Sequence, residues 1–208
     1  MQRRSNALPI LLLCGVAGSA AAGCTREPEQ TAEQPAPEAA ATTQSPAKIT
    51  YTSTGALQRP EGYRQWVYVG TPITPNELNP PEAPFPDFHI VYIHPDDYVA
   101  YQRTGAFPEG TVLIKELVSI GSKKAASGNG YFMGDYIGLE ATVKDSSRYP
   151  NEPGHWAYFT FGHKYPLADT TRAQSTETCN ACHQESAAED FVFTQYYPVL
   201  RAAKGTGN

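Results

Sequence analysis

Two cysteines and a histidine near the C-terminal end form the most specific chemical motif of this chain. Cys179-Asn180-Ala181-Cys182-His183 has the spacing C-x-x-C-H, in which both thiols bond covalently to a haem and the adjacent histidine binds its iron. Two thiols three residues apart lie on one side of a helical turn, which carries the histidine beneath the same macrocycle. The motif therefore predicts haem c attached through Cys179 and Cys182, with His183 as the iron ligand.

Other uses of such cysteines have less support in the sequence. A zinc site needs about four protein ligands, and the other histidines form no second paired motif; they are His89, His94, His155 and His163. A redox disulfide needs C-x-x-C near a βαβ pattern, which this sequence lacks. An exposed disulfide beside a surface histidine remains as the alternative.

The position of the motif and the supply of methionine restrict the class of cytochrome. The motif lies 25 residues before the end of the chain, whereas small electron-transfer cytochromes c carry it near the start of the folded domain. Cytochrome c-prime has a late motif but is a four-helix bundle, which this strand-rich sequence excludes. Met133, the only methionine after residue 24, is either a second axial ligand or part of a sheet core. A histidine could also serve as that ligand, and if neither binds, the iron has an open site.

A lysine interrupts an otherwise apolar strand pattern over residues 112–120. Alternation places Lys115 on one face with Leu113 and Leu117. Such a lysine either lies at a sheet edge with its ammonium in water or is buried as a nucleophilic amine. Glu140 lies at a similar position on a facing strand, where an ion pair with Lys115 is expected.

The elements that must position these residues are mostly strands. Branched and aromatic runs bounded by Gly, Pro or Asn predict at least five of them: 65–70, 88–93, 112–121, 131–143 and 156–162. The turn at Asn129-Gly130 favours antiparallel pairing of the third and fourth. A short helix is predicted over Pro95–Thr104, and a second helical stretch from Thr178 to the chain end, broken near Pro198. The fold class is α+β, mostly β, with the haem motif in a C-terminal helical segment.

The first 48 residues indicate export. Arg3 and Arg4 precede an apolar run that is too short to span a bilayer, so residues 1–23 are predicted to be a signal peptide. Cys24 is either lipidated or, after cleavage by an ordinary signal peptidase, left unmodified. Residues 24–48 form a proline- and glutamate-rich linker to a domain at 49–208. Removal of 1–23, which hold two arginines and no acidic residue, takes the net charge from −5 to −7. This charge argues against a nucleic-acid partner and, with export, predicts a periplasmic protein, either free or membrane-anchored through Cys24.

Several longer motifs closely resemble the cytochrome P-460 family over residues 57–204. They are Tyr63-Arg64-Gln65-Trp66-Val67, Gly70-Thr71-Pro72, Thr74-Pro75-Asn76-Glu77-Leu78-Asn79, Gly110-Thr111-Val112 leading into Lys115-Glu116-Leu117-Val118-Ser119, Gly130-Tyr131-Phe132-Met133-Gly134, and Asp190-Phe191-Val192-Phe193-Thr194-Gln195-Tyr196-Tyr197-Pro198-Val199-Leu200-Arg201. The resemblance implies a mostly β homodimer that oxidises hydroxylamine at a five-coordinate iron and passes electrons to a periplasmic cytochrome. It also implies that Lys115 bonds to a meso carbon of the porphyrin.

The resemblance also supplies an alternative function and further site residues. Cytochrome c-prime-beta shares the fold, lacks the crosslink and binds nitric oxide in an apolar pocket; a simple electron carrier is the third alternative. The family can place a carboxylate at Gln174, where this chain has an amide, and Glu177 nearby could replace it. Together with Glu140, these residues are the predicted proton acceptors. Phe85 is either a pocket-lining aromatic or ordinary core.

Overall fold

The described residues, 48–207, contain nine strands and three α-helices joined by turns and short 3-10 helices. We obtained them from a computed structural model. The strands are β1 (Leu57–Gln58), β2 (Val67–Gly70), β3 (Phe88–Ile93), β4 (Val112–Ile120), β5 (Lys124–Ala125), β6 (Gly128–Asn129), β7 (Met133–Lys144), β8 (Trp156–Thr160) and β9 (Thr170–Thr171). The helices are α1 (Pro95–Thr104), α2 (Asn180–Ser186) and α3 (Pro198–Ala203). The predicted signal peptide, Cys24 and nearly all of the linker lie outside these residues.

Five of the strands form one antiparallel sheet in the order β2-β3-β4-β7-β8. These are the five predicted strands, and the α+β, mostly β class is confirmed. The first begins later than predicted because Tyr63–Gln65 form a 3-10 turn after Gly62, which has a φ of 68°. β4 is the central strand, so Lys115 does not lie at a sheet edge.

The two faces of this sheet have different cores. Residues opposite one another in an antiparallel register share a face, and Lys115 is opposite both Val91 and Glu140. We call this side the Lys115 face; it packs on α1 and α3 through Ile93, Leu113, Trp156, Tyr158, Tyr101 and Leu200. The other side, the Glu116 face, is covered by the segment before β2 and by Leu167, which pack on Ile114, Leu139, Ala141, Val143 and Phe159.

Helix α1 has the predicted bounds, and the residues at its two ends explain where it begins and ends. Pro95 occupies the first turn, where a missing amide costs nothing, His94 Nδ1 accepts a bond from the Asp96 N–H, and Asp96 and Asp97 place negative charge at the start of the helix. Gly105 ends the helix at a φ of 71°, a conformation that glycine adopts without strain. No helix in the described part is long and apolar enough to cross a membrane.

The predicted C-terminal helix is wrong in its extent. Helix α2 ends at Ser186, and α3 begins only at Pro198, so the break starts well before the proline. Between them, Asp190 and Phe191 take φ values of 42° and 62°, which no helix accommodates. The turn is retained because its backbone and side chains bond to neighbouring elements, as the site below shows.

The prediction that Met133 belongs to the sheet core is also wrong. Met133 is 50% exposed at the start of β7, where the strand extends beyond the packed part of the sheet. It lies seven residues from Glu140, about 23 Å along an extended strand. The structure therefore gives no support to Met133 as an axial ligand.

Candidate haem site

Helix α2 carries the C-x-x-C-H motif on the Lys115 face of the sheet. Cys179 is the residue before the helix and packs partly buried against the core of that face, while Cys182 is exposed; both thiols are free. The exposed disulfide considered above is therefore not formed. Within residues 48–207, no three His, Cys, Asp or Glu side chains group to hold a metal ion, so the zinc alternative gains no support.

The imidazole of His183 is fixed in one orientation. Its Nδ1 lies 2.8 Å from the carbonyl oxygen of Phe191, and its ring packs between Tyr158 and Phe193 at 4.3 and 4.6 Å. Because a carbonyl only accepts, Nδ1 carries the proton and Nε2 keeps the lone pair that binds a metal. Burial lowers the pKa of His183, and Lys115 lowers it further, although the bond to Phe191 opposes this. The residues present thus suit haem c, with Nε2 of His183 as the iron ligand.

The turn at Asp190 and Phe191 holds that carbonyl in place. Phe191 oxygen also accepts a bond from the Tyr158 hydroxyl at 3.2 Å. Asp190 accepts bonds from Trp156 Nε1 at 3.2 Å and Lys144 Nζ at 2.7 Å. Gly154 leaves room for the Phe191 ring, which a β-carbon would overlap. The unusual backbone at 190–191 is therefore fixed from several sides and positions the histidine.

Lys115 projects from the central strand into a cluster of site residues. Its Nζ lies 2.5 Å from Glu140 Oε2, and the two side chains are 24% and 18% exposed. The same ammonium lies 4.3 Å from the centre of the Phe85 ring. The expected Lys115–Glu140 pair is present, and half-buried Phe85 lies at this site rather than in a separate core.

Two histidines that the sequence did not assign to a site flank Phe85. The His89 and His163 rings approach it edge-on at 5.9 and 5.7 Å. His163 Nε2 also lies 2.8 Å from Glu140 Oε1, so the carboxylate bridges Lys115 and His163 with its two oxygens. A weak signal was available: Glu140 pairs with Thr160, and His163 follows three residues later.

The charges of this cluster are set by burial and by the partners. Burial raises the pKa of Glu140, but the bond from His163 and the charge of Lys115 outweigh it and lower the pKa to about 2. Burial, followed by the charge of Lys115, lowers the pKa of His89 to about 4. At neutral pH, Glu140 is a carboxylate and His89 is neutral.

The cluster and the haem motif belong to one site. Burial raises the pKa of Cys179; Glu140 raises it further, and Lys115 lowers it. Lys115 and Glu140 act in the same way on His183, and Tyr158, whose ring packs on His183, lies on the Lys115 face together with Cys179. The structure therefore brings Lys115, Glu140 and Phe85 to the face where α2 presents His183.

The other two predicted acceptors lie on the segment leading into α2. Gln174 is half-buried, and its backbone N–H donates to the Tyr158 carbonyl at 2.8 Å. Glu177 is exposed, and hydrogen bonds from its own backbone and from Ser175 lower its pKa. Gln174 thus lies beside the strand that contacts His183, whereas the structure gives Glu177 no contact with Lys115 or Glu140.

A strand-rich fold with a C-terminal C-x-x-C-H helix and a fixed proximal histidine defines a c-type haem protein outside the helical cytochromes. The sequence model of the family Cytochrome P460 matches residues 60–194, which include Lys115 and the whole haem motif. The chain therefore belongs to the cytochrome P460 family and is a haem-containing oxidoreductase. A comparison with curated proteins found no match.

Proposed function

We propose that this protein oxidises hydroxylamine, with haem c held by Cys179, Cys182 and His183 and crosslinked to Lys115. The observation that carries the proposal is the position of Lys115: an amine on the central strand, paired with Glu140 on the face that carries His183. When bound, the haem supplies an open iron position for the substrate nitrogen and accepts its electrons.

The chain first has to prepare Lys115 for bond formation. An ammonium has no lone pair, so it must lose a proton before its nitrogen can bond to carbon. The new bond would replace one N–H and the hydrogen of that carbon, and a two-electron oxidant from outside the protein would take up the electrons. Glu140 Oε2 is in direct contact with that proton, and Phe85 covers the other side of Nζ. Lys115 is thereby held in one position, and its covalent link would alter the electronics of the macrocycle.

On the proximal side, the chain holds the iron ligand rigidly. The Phe191 carbonyl keeps the Nδ1 proton of His183 in place, and a hydrogen bond of this kind makes the Nε2 lone pair more basic. Tyr158 and Phe193 prevent the ring from rotating. His183 is the iron ligand that the motif would provide to a bound haem.

Oxidation of hydroxylamine releases protons together with electrons, so the site needs an acceptor. Glu140 fits this role best of the three predicted residues because it contacts Lys115 directly. Glu177 is already in solvent, and Gln174 has no basic group. The product is either nitrous oxide or nitrite, depending on the fate of the first oxidation product.

Nitric oxide binding in the manner of cytochrome c-prime-beta is a second candidate. The half-buried Phe85 ring beside Lys115 favours it, because an apolar wall suits a small uncharged gas. The two functions differ in the crosslink. For either function we further propose export to the periplasm, anchoring through Cys24, a homodimeric state and a cytochrome as electron acceptor.

The test is peptide mapping, spectroscopy and turnover of the purified holoprotein. Proteolysis should yield two peptides joined through one haem, containing residues 115 and 179–183, and the ferrous Soret band should be strongly shifted. Hydroxylamine should be oxidised anaerobically with an artificial electron acceptor. A free, unmodified peptide containing Lys115 would favour the gas-binding function, and a low-spin spectrum would favour the electron carrier. No turnover by a fully crosslinked protein would refute the enzymatic proposal.

A further inference from the structure

We propose that His163 takes protons from Glu140 and releases them to solvent, so that the two residues form the proton exit of the site. This inference rests on the proposed function, because the oxidation of hydroxylamine is what releases the protons. His163 was not assigned a role by the sequence. The structure adds it through one contact, between its Nε2 and Glu140 Oε1 at 2.8 Å.

The contacts run continuously from the interior to the surface. Lys115 Nζ is 2.5 Å from Glu140 Oε2, and the other oxygen of this carboxylate faces His163. The exposed fraction of the side chains is 24% and 18% for Lys115 and Glu140, and 47% for His163. The outermost group is therefore the only one of the three that meets solvent broadly.

Glu140 cannot serve as the final acceptor on its own. Its partners hold its pKa at about 2, so it keeps a proton only briefly at neutral pH. An imidazole is a stronger base than a carboxylate and takes the proton onward. In the resting site Nε2–H donates to the ionised Glu140. When Glu140 takes up a proton, the exposed ring exchanges through water to its Nδ1–H tautomer and Nε2 accepts the Glu140 proton. The imidazolium then releases its Nδ1 proton to water, which restores the Nε2–H donor and balances the transfer.

The other groups around His163 do not offer an equivalent route. Asp87, before β3, lies close enough for His163 to lower its pKa, but burial has the larger effect and raises it. His89, on β3, bonds through Nε2 to the Phe85 carbonyl at 3.1 Å and remains neutral above a pKa of about 4. Thr160 Oγ1, 3.4 Å from His163 Nε2, carries no charge. Lys164 follows His163 in the chain and is exposed.

Full-length holoprotein carrying His163→Ala tests this exit. We expect kcat for hydroxylamine to fall by about 10²-fold, the lower end of general-base contributions, with KM little changed. Added imidazole should restore turnover in proportion to its neutral fraction, because the exposed space left by the ring admits it. His163→Gln can still bond to Glu140 but cannot carry a proton, so it should remain slow. Lys164→Gln removes a neighbouring exposed charge and should match the wild type.

Two measurements that do not depend on turnover complete the test. Peptide mapping should show an intact haem and crosslink in both His163 variants. In histidine-labelled protein, the ring NMR signals of His163 should change in Glu140→Gln, because the carboxylate bonded to Nε2 is gone. Unchanged His163 signals would show that the two side chains are not in contact and would overturn the exit.

The outcomes separate this inference from the proposed function. Wild-type turnover with an equally fast His163→Ala protein overturns the proton exit and leaves the function intact. A slow His163→Ala protein without imidazole rescue, beside a fast His163→Gln protein, shows that His163 only positions Glu140 and also overturns it. No wild-type turnover overturns both.

Discussion

Strand β4 carries two adjacent charged residues whose surroundings differ completely. On one face, Glu116 is 1% exposed and is bonded by the Tyr63 hydroxyl at 2.6 Å and by the Arg64 guanidinium. On the other face, Lys115 is 24% exposed and pairs with Glu140, which is bonded in turn to the exposed His163. The Glu116 carboxylate is buried against fixed donors, whereas the Lys115 cluster reaches solvent through the exposed ring of His163.

The difference indicates which buried charge maintains the fold and which is available for chemistry. Both Glu116 oxygens are bonded to fixed donors, and that bonding raises the pKa of Arg64, while burial raises that of Tyr63. Neither Arg64 nor Tyr63 changes protonation near neutral pH. In the Lys115 cluster, the amine and its carboxylate partner are partly exposed, and the third member, His163, faces solvent.

The largest loss of stability should come from substituting Glu116, which bonds Tyr63 and Arg64. Glu116→Ala leaves the Tyr63 hydroxyl without its partner under the sheet and Arg64 without its counter-ion. Removing one partner of a buried ion pair costs about 3–5 kcal/mol of unfolding free energy, and the half-exposed Arg64 places this change near the lower end. Urea unfolding of the holoprotein measures it. The haem spectrum should not change, and a shifted Soret band would contradict the separation of the two faces.

Glu140→Gln should lower the free energy of unfolding less than Glu116→Ala does, and should lower the turnover of hydroxylamine more. The amide still fits between Lys115 and His163 but loses its charge, for an expected cost of about 1–3 kcal/mol. Since the pKa of Glu140 is held at about 2, its contribution is complete above the unfolded value near 4.5 and is lost as pH falls through about 2. Hydroxylamine turnover should fall about 10²-fold. Turnover equal to that of the wild type would remove Glu140 from the proton path.

The sequence predicted the features that depend on local pattern. The five strands and helix α1 follow from alternation, turn residues and capping, and the β4–β7 register makes the Lys115–Glu140 pair foreseeable. The His163 contact and the Phe191 carbonyl depend on how a loop folds back onto the sheet. Helix α2 ends early because Ala187 turns to extended backbone at a ψ of 137°, for which the sequence has no local signal. The alternating pattern of β7 extends to Met133, but the packing of the sheet ends before that residue, which is why it is exposed.

The Lys115 cluster should also respond to acid through His89. In the unfolded chain a histidine takes up a proton near pH 6.5, but His89 in the fold does so only near pH 4. Between these values the unfolded state binds the additional proton, so the wild type loses stability as pH falls, by about 2 kcal/mol. His89→Gln removes this loss. Thermal unfolding at pH 7, 5.5 and 4.5 compares the slopes, and parallel slopes would show that His89 is protonated equally in both states.

The smallest effect is expected at Gln174, where a carboxylate would add a second proton acceptor near the haem motif. Gln174 is half-buried and bonded through its backbone to Tyr158, which packs on His183. Gln174→Glu should therefore speed hydroxylamine turnover, by about tenfold at most, because the path through Glu140 already operates and general bases contribute about 10²- to 10⁴-fold in total. The acceleration should be larger in a Glu140→Gln background, since there the new carboxylate replaces a missing acceptor. Glu177→Gln, at an exposed position on the same segment, is the matched control and should leave the rate unchanged. If Gln174→Glu changes neither background, position 174 does not face the groups that release protons.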